Sequence, residues 1–176
     1  LVAVSKTKPI EDLETAYIAG QRIFGENKIQ EMVSKWEQLP KDIQWHMIGH
    51  VQTNKVKFMA PFVDLIHAVD SLKLLKEIQK QALNNNRIIK CLLQIRIAKE
   101  ETKFGFPAEE IDSLIETSKS LPNIAITGLM GMASFTEDKQ QVRKEFMSLA
   151  TLFNKFTDLH KGCEILSMGM SGDYQI

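Results

Sequence analysis

A lysine close to the start of the chain has the position best suited to covalent chemistry. In the run Leu1-Val2-Ala3-Val4-Ser5-Lys6, strand alternation puts Lys6 on the same face as Val2 and Val4, at the carboxyl end of the strand. Apolar neighbours disfavour the ammonium form of an amine, and the neutral amine is a nucleophile towards a carbonyl or an aldehyde. The alternative is that Lys6 points into solvent as the strand ends.

A loop rich in glycine and serine lies near the end of the chain, directly after a short apolar run. Gly169 and Gly172 allow backbone N–H groups to converge, and Ser167 and Ser171 add hydroxyl donors. Asp173 follows as a candidate helix N-cap, which would add the dipole of a helix N-terminus. These features predict a phosphate cradle of the type that barrels build after their late strands. The alternative is an ordinary turn made of small residues.

Three histidines and one asparagine are the other candidates for contacts with a ligand. His46 and His50 have a zinc-motif spacing, but Met47 stands where that motif has glutamate, and the segment reads as a strand. On a strand the two imidazoles lie about 13 Å apart, so no metal site is predicted. His50, at the strand end, suits stacking on a flat ligand or hydrogen bonding to it, whereas His46 and His67 are expected in the core. Asn27 either caps a helix or reaches a ligand oxygen.

The composition excludes several classes of protein. Lys and Arg number 22 and Asp and Glu number 22, so the chain lacks the basic field of a nucleic-acid or membrane-surface binder. No apolar run approaches the roughly 20 residues of a membrane span and no secretory signal is recognisable, so a cytoplasmic location is expected. Cys91 and Cys163 are too few for a disulfide framework or a thiolate metal site, and we expect both to be buried and reduced.

Short apolar runs alternate with stretches of helical period along the whole chain. No break separates two domains, so we expect one α/β domain over residues 1–176, built from successive strand–helix units. Strands are predicted at residues 1–5, 22–25, 45–48, 65–69, 88–97, 124–130 and 164–168. The first should be covered on both faces, and the fifth should be the longest.

Seven such units fit either an open doubly wound sheet or a closed barrel. The open dinucleotide-binding sheet needs a G-x-G-x-x-G loop after its first strand, where this chain has Ser-Lys-Thr-Lys-Pro. Unusual residues instead follow several different strands, as in a barrel whose strand ends face one site. We expect a (β/α)8 TIM barrel, with the eighth unit and a leading helix outside these 176 residues and the chain truncated at both ends.

Six short motifs, spread in order over nearly the whole chain, match a known family. They are Ala3-Val4-Ser5-Lys6-Thr7-Lys8-Pro9, Phe24-Gly25-Glu26-Asn27, Trp45-His46-Met47-Ile48-Gly49-His50-Val51-Gln52-Thr53-Asn54-Lys55, Lys103-Phe104-Gly105-Phe106, Gly128-Leu129-Met130-Gly131-Met132-Ala133 and Leu166-Ser167-Met168-Gly169-Met170-Ser171. With these motifs the chain resembles the pyridoxal 5′-phosphate (PLP) homeostasis proteins of the YggS/PROSC type, which are related to the barrel domain of alanine racemase.

The resemblance implies a cofactor and the residues that hold it. Lys6 would bind PLP as a Schiff base. Ser167, with the N–H of Met168, would hold the phosphate in the loop that includes Gly169 and Ser171. No metal is implied.

The resemblance also implies the ring contacts and the function. Asn27 and His50 match residues that line the cofactor ring, and a segment after Ile176 would bring an arginine to the pyridine nitrogen. Because the family lacks the second domain that supplies the opposing acid/base tyrosine in racemases, no catalytic residue is expected. The protein would act in PLP and amino-acid homeostasis as a monomer, with PLP and PLP-accepting apo-enzymes as partners and without nucleic acid or membrane.

Two alternatives compete with this expectation. One is a PLP-dependent amino-acid racemase or lyase of low activity, which would exchange the α-hydrogen of amino acids with solvent. The other is a cofactor-free aldolase, since such barrels also use a strand-end lysine to form a Schiff base. The aldolase would lack the visible absorbance of bound PLP.

Overall fold

The chain folds as an alternation of parallel strands and helices. The computed structural model describes residues 1–98, 104–170 and 172–176. Within them the strands are β1 (Ala3–Val4), β2 (Ile23–Glu26), β3 (Gln44–Met47), β4 (Leu65–Val69), β5 (Ile89–Gln94), β6 (Ile124–Met130) and β7 (Ile165–Ser167). The helices are α1 (Ile10–Ile18), α2 (Ile29–Gln38), α3 (Val56–Met59), α4 (Leu72–Asn84), α5 (Ile111–Ser118) and α6 (Lys139–Leu159). The seven predicted strands are therefore present, with ends that differ by a few residues.

The strands form one curled sheet. Its order follows the sequence from β1 to β7, and each neighbouring pair is parallel, so the carboxyl ends of the strands lie along one edge. His67 on β4 and Ser167 on β7 are hydrogen-bonded at 2.8 Å. Strands three places apart lie about 14 Å from each other in a flat sheet, so this contact requires strong curvature. The architecture is α/β and barrel-like.

Apolar side chains lie on both faces of the sheet. Between the sheet and the helices they form a large core that includes Trp45 and Met32, both completely buried. Inside the curl, Leu65, Leu92 and Met130 from neighbouring strands form a smaller buried cluster. The helix-side core thus supplies most of the buried apolar surface, and the inner face has room for polar side chains near the strand ends.

Helix α4 shows how local sequence sets the elements. The Ser71 hydroxyl caps its first turn by accepting a hydrogen bond from the N–H of Leu74. Leu75, Ile78 and Ala82, at helical spacing, are all buried against the sheet, as their periodicity predicts. The helix therefore begins at a capping serine and is fixed by one apolar face.

The prediction that the fifth strand is the longest is wrong. It was expected over residues 88–97, but β5 is Ile89–Gln94, and β6, with seven residues, is longer. From Ile95 the chain pairs with Phe106 of the following loop, which ends the regular strand. Of the polar loop predicted at 99–106, residues 99–103 lie outside the described part of the chain.

The expectation that β1 is covered on both faces is also wrong. Val4 is 49% exposed, whereas Ser5, on the other face, is buried. The reason is position, because β1 is an edge strand that pairs only with β2 in the described part of the chain.

The state of the two cysteines and the lengths of the helices bear on two expectations drawn from the composition. Cys91 and Cys163 are free thiols and both are buried, as predicted. Burial raises the pKa of both thiols, which makes them poor nucleophiles. None of the helices in the described residues is both long and apolar enough to cross a bilayer.

Candidate functional site

Lys6 lies directly after β1, at the edge where the strands end. Its side chain is exposed, and its amine makes no hydrogen bond or ion pair among the residues that the structure describes. Val4, which shares its face, is also half exposed. The apolar surroundings expected for the amine are therefore not found in the described chain, because the inner face of an edge strand is open. Lys6 is nevertheless unbonded and accessible to a ligand.

A second lysine, Lys35 of α2, is buried beneath this strand end. Its Nζ donates hydrogen bonds to the carboxylates of Glu26 (2.8 Å) and Glu31 (2.7 Å) and to the carbonyl oxygen of Ser5 (2.7 Å). Glu26 is completely buried and also accepts from the Ser5 hydroxyl at 2.6 Å. Bonding to the Lys35 ammonium holds the pKa of Glu31 below its ordinary value. The burial is thus matched by opposite charge and by hydrogen bonds to Oε1 of Glu26, whereas Oε2 of Glu26 is buried without a hydrogen-bond partner in the described residues.

This network fixes the backbone on both sides of Lys6. On one side Ser5 is held by Lys35, and its N–H donates to the carbonyl of Gly25. On the other side the N–H of Thr7 donates to Glu31 at 2.6 Å, and Thr7 takes a positive φ of 63° that is uncommon outside glycine. This role of Lys35 was not predicted from the sequence. The available signal was a lysine three positions after Met32, on the buried stripe of α2.

Asn27 follows β2 and lies against the end of β3. It does not cap α2, whose N-cap position is Lys28 and has no side-chain bond. Its own side-chain amide has no hydrogen-bond partner within the described ranges. A Cβ at Gly49 would lie 2.7 Å from the Asn27 carbonyl oxygen, so only glycine permits this approach. The amide of Asn27 is therefore available to a ligand at the strand ends.

His50 is held by two neighbours at the same edge. Its Nδ1 lies 2.9 Å from the carboxylate of Asp70, at the end of β4. Its ring stacks on Phe104, with centroids 4.2 Å apart. Gln94 of β5 donates to the Phe104 carbonyl at 3.0 Å and so holds the aromatic residue in place. The predicted capacity of His50 for stacking is thus used on one face by the protein's own Phe104.

The loop after β7 forms a tight turn around an anionic side chain. Gly169 has φ of 82°, a left-handed conformation that favours glycine. The N–H of Met170 donates to the carboxylate of Asp173, and residues 172–175 form hydrogen-bonded turns. In the described residues the carboxylate of Asp173 accepts from the N–H three residues before it, and its expected role as the N-cap of a following helix stays a prediction. Ser171 lies outside the described residues, and Met168 is half exposed.

The Ser167 hydroxyl, in contrast, faces the interior of the sheet. Its Oγ lies 2.8 Å from Nδ1 of His67, whose Nε2 lies 2.9 Å from Nδ1 of His46. Nε2 of His46 lies 3.7 Å from Asp64, which also contacts Lys90 at 3.4 Å. Burial, with His46 beside it, lowers the pKa of His67 to about 3. A hydrogen bond from His46 and the charge of Lys90 lower the pKa of Asp64.

The predicted site residues therefore lie at the ends of several strands. Lys6, Asn27, His50 and Ser167 follow or end β1, β2, β3 and β7, all at one edge of the sheet. The structure does not join these four side chains by hydrogen bonds within the described ranges. His46 and His67 are buried as predicted, but their bond to each other and to Ser167 was not foreseen. No group of three or more potential metal ligands occurs in the residues described.

Comparison with known proteins places this architecture in a family. The family described as alanine racemase, N-terminal domain, matches residues 1–175. A pyridoxal phosphate homeostasis protein of Aquifex aeolicus (strain VF5) is 38% identical over 178 residues, which cover 100% of this chain and 78% of that protein.

Solved structures agree with this assignment. PipY of Synechococcus elongatus PCC7942, solved without PLP, is 31% identical and superposes with a TM-score of 0.91, covering 99% of this chain and 83% of PipY. The structure of PipY with PLP bound is 30% identical with a TM-score of 0.86, covering 99% and 82%. The chain therefore belongs to the alanine racemase N-terminal domain family, and relatives 35–40% identical to it are named pyridoxal phosphate homeostasis proteins.

Proposed function

We propose that this protein binds PLP at the strand-end edge through Lys6 and acts as a PLP carrier in PLP and amino-acid homeostasis. The observation that supports this most strongly is the PLP-bound structure of PipY, which aligns with nearly the whole chain. Lys6 supports it further, since its amine is unbonded among the described residues while its neighbours on both sides are fixed. Fixed neighbours and a free amine suit a residue that bonds to a ligand.

The residues at this edge fit the chemistry of PLP. An amine, an amide and a hydroxyl come from Lys6, Asn27 and Ser167. The loop after β7 also directs the N–H of Met170 at a carboxylate oxygen of Asp173, which stands in for an anionic oxygen of a ligand. The loop can therefore present a backbone donor to a phosphate.

Each residue has a separate role in this proposal. PLP supplies an aldehyde that condenses reversibly with amines. Lys6 supplies the amine and forms the Schiff base, and the Ser167 hydroxyl and the Met168 N–H donate to the phosphate, with Gly169 and Ser171 completing the loop. Asn27 and His50 contact the ring. Because the bond to Lys6 exchanges with other amines, the same chemistry allows transfer of PLP to acceptor apo-enzymes.

We further propose that binding, not turnover, is the function. The homologous proteins are named for homeostasis of the cofactor. A catalytic racemase needs acid/base groups on both faces of the bound amino acid, and the proposed site offers the Lys6 amine on one face without an opposing group assigned to the other. Amino acids incubated with the PLP-loaded protein in D2O should keep their α-hydrogen, and exchange well above that of free PLP would indicate an enzyme.

The curled sheet is proposed to close as an eight-stranded (β/α)8 barrel within a single PLP-binding domain. The contact between β4 and β7 supports this, since it brings strands from distant places in the sheet to hydrogen-bonding distance. A closed barrel has a shear and curvature that force such contacts across its interior.

The first prediction tests the role of Lys6. Protein loaded with PLP should show visible absorbance, and borohydride should fix PLP covalently to the peptide containing Lys6. Lys6→Ala should lose both signals, because it removes the amine nitrogen to which the bond with the aldehyde is assigned. Lys6→Arg keeps the positive charge without a comparable nucleophile and should also lose them. Lys8→Ala is the matched control and should behave as wild type.

The Lys6 assignment would be wrong if Lys6→Ala still gave a borohydride-fixed adduct. Peptide mass analysis would then identify the modified lysine, with Lys8 and Lys55 as the next candidates. Covalent fixation without visible absorbance before reduction would contradict PLP as the resident ligand.

A further inference from the structure

Four side chains form a continuous polar line through the interior of the curled sheet. Ser167 contacts His67, His67 contacts His46, and His46 lies near Asp64. We propose that His67 and His46 are positioning residues that set the direction of the Ser167 O–H, an inference that rests on the proposed PLP site. We propose with it that binding of a phosphate monoester dianion at Ser167 draws one proton from water onto His46.

The hydrogen positions without ligand follow from counting donors. A neutral imidazole has one N–H and one bare nitrogen, and a carboxylate only accepts. The negative charge of Asp64, whose carboxylate oxygen lies 3.7 Å from Nε2 of His46, favours the His46 hydrogen on Nε2, and Nδ1 is then bare and accepts from Nε2–H of His67. Nδ1 of His67 is then bare and accepts from the Ser167 hydroxyl. In this state the Ser167 O–H donates its hydrogen bond to Nδ1 of His67, and Oγ presents lone pairs to an incoming anion.

Binding a dianion requires the opposite direction. The Ser167 O–H must donate to a phosphate oxygen, so its Oγ accepts from Nδ1–H of His67. Nε2 of His67 is then bare and must accept from Nδ1–H of His46. His46 keeps its Nε2–H towards Asp64, so it carries both hydrogens and is an imidazolium. The balance is one proton taken from water, with no covalent bond between heavy atoms formed or broken.

The charges around the line favour His46 as the place of the added proton. The Asp64 carboxylate faces His46, and Lys90 of β5 lies at the other oxygen of Asp64, where it is half exposed. His67 has only His46 and Ser167 as polar partners in the described residues. The low pKa of His67, about 3, agrees with a neutral imidazole at that position. The proton therefore goes to the histidine beside the carboxylate.

The experiment counts protons taken up on binding. The apo form of the full protein is titrated with PLP, and separately with pyridoxal, by isothermal calorimetry in phosphate-free buffers of different ionisation enthalpy. At about pH 8 the phosphate of free PLP is a dianion, since its second pKa is about 6. Pyridoxal lacks the phosphate but has the same aldehyde, so the difference between the two ligands isolates the phosphate. We expect PLP to take up about one proton more than pyridoxal.

Phosphorus NMR of the complex locates that proton. A resonance that stays at the dianion position is expected, because the proton belongs to His46 and not to the phosphate. The ratio of PLP to pyridoxal affinity should also fall with rising pH, by up to about tenfold for each pH unit where one proton is linked to binding.

Two variants separate a positioning role from a structural one. In His67→Asn the amide can donate to Ser167 without a proton from water, so PLP should still bind but the extra proton should disappear. Asp64→Asn removes the charge that favours the imidazolium, so the extra proton should be taken up only at lower pH. Circular dichroism checks that both variants fold. A purely structural role would change affinity for both ligands equally and leave the proton count unchanged.

Several results would overturn the proposal. Equal proton uptake for PLP and pyridoxal, uptake that persists in His67→Asn, or a phosphorus resonance of the monoanion would each contradict it while leaving the PLP site intact. Failure of the wild-type protein to bind PLP would contradict the proposed function itself, and this inference with it.

Discussion

Lys35 shows how much a single buried charge can matter near the proposed site. Its ammonium is surrounded by Glu26, Glu31 and the Ser5 carbonyl, and Glu26 has no exposure to water. Replacing the lysine leaves the Glu26 carboxylate buried without its counter-charge, which is the costly way to break such a pair. The residues around Lys6 therefore depend on a side chain that never reaches the ligand.

We predict that Lys35→Met lowers the free energy of unfolding by about 3–5 kcal/mol, the cost typical of leaving one partner of a buried ion pair uncompensated. Urea unfolding measures it. Lys73→Met, on the exposed face of α4, is the matched control and should change stability by no more than about 0.5 kcal/mol. Equal effects of the two substitutions would contradict the role assigned to Lys35.

His67 should make the ligand-free protein less stable in acid. Its pKa is about 3 in the folded state against an ordinary value of 6.5. Between these values the unfolded chain binds a proton that the folded chain does not, so the stability is fully present above 6.5 and falls as the pH falls towards 3. The slope from this group approaches about 1.4 kcal/mol per pH unit.

Urea unfolding of wild type and His67→Asn, at neutral pH and in mild acid, tests this. The variant should lose less stability than wild type on acidification, because asparagine does not titrate. An identical loss in both proteins would show that His67 does not carry the effect.

At the scale of elements, the contact between β6 and β7 depends on one missing side chain. Gly128 pairs with Ile165, and a Cβ at Gly128 would lie only 1.8 Å from the Ile165 carbonyl oxygen. The obstacle is backbone, so no side-chain rotation can relieve it. A methyl group at residue 128 must therefore push β7, which carries Ser167, away from β6.

We predict that Gly128→Ala costs at least about 3 kcal/mol of stability, in the range of severe backbone clashes. It should also weaken any phosphate binding at the end of β7. Thermal unfolding and PLP titration measure the two effects. Gly172→Ala, where a Cβ meets open space, is the control and should be close to neutral in stability. A stable Gly128→Ala protein would mean that β6 and β7 are not in this register.

The local sequence predicts the helices and strands better than it predicts the contacts between them. The stripe Leu75, Ile78 and Ala82 predicts α4 because helical period depends only on neighbours along the chain. The bond between His67 and Ser167 joins residues 100 positions apart, and only the curl of the sheet brings them together. Lys35 lies on the buried stripe of α2, but its i,i+4 partner Glu31 is typical of exposed helix faces, so the local sequence does not identify Glu26 as its buried partner.

In the candidate site, too, the positions of the residues could be predicted from the sequence and their contacts could not. The strand-end positions of Lys6, Asn27, His50 and Ser167 follow from the predicted strands, because parallel strands end at one edge. The surroundings of those residues could not be predicted from the strands. The exposure of Lys6 depends on which strand is an edge, and the stacking of His50 on Phe104 depends on a loop between distant segments.

For the whole molecule, closure of the barrel can be tested at the outer edges of β1 and β7. The N–H of Ser5 donates to β2, and the C=O of Ser167 accepts from the N–H of Gly131 directly after β6, so the neighbouring residues Val4 and Leu166 point their N–H groups the other way. In a closed barrel an eighth strand accepts these hydrogen bonds.

We predict that in the native protein the amides of Val4 and Leu166 exchange with D2O about as slowly as those of Ser5 and Ser167. Amide hydrogen exchange followed by NMR is the measurement, and the bonded amides serve as internal references. Fast exchange at Val4 and Leu166 beside slow references would contradict closure and leave an open curled sheet.

The carboxylate of Asp173 on the N–H of Met170 has a consequence for how tightly the loop can hold an anion. A phosphate that takes the N–H of Met170 in addition to the proposed donors of Ser167 and Met168 meets a competitor of like charge, which is tethered to the same chain and keeps a constant local concentration. The apparent affinity is the intrinsic affinity multiplied by the fraction of molecules in which Asp173 has left. The Asp173 carboxylate rebinds the N–H of Met170 as soon as the phosphate releases it, which shortens the lifetime of the phosphate complex. A protein that passes its ligand on benefits from such a built-in limit, because moderate affinity with rapid release delivers more cargo than near-irreversible storage.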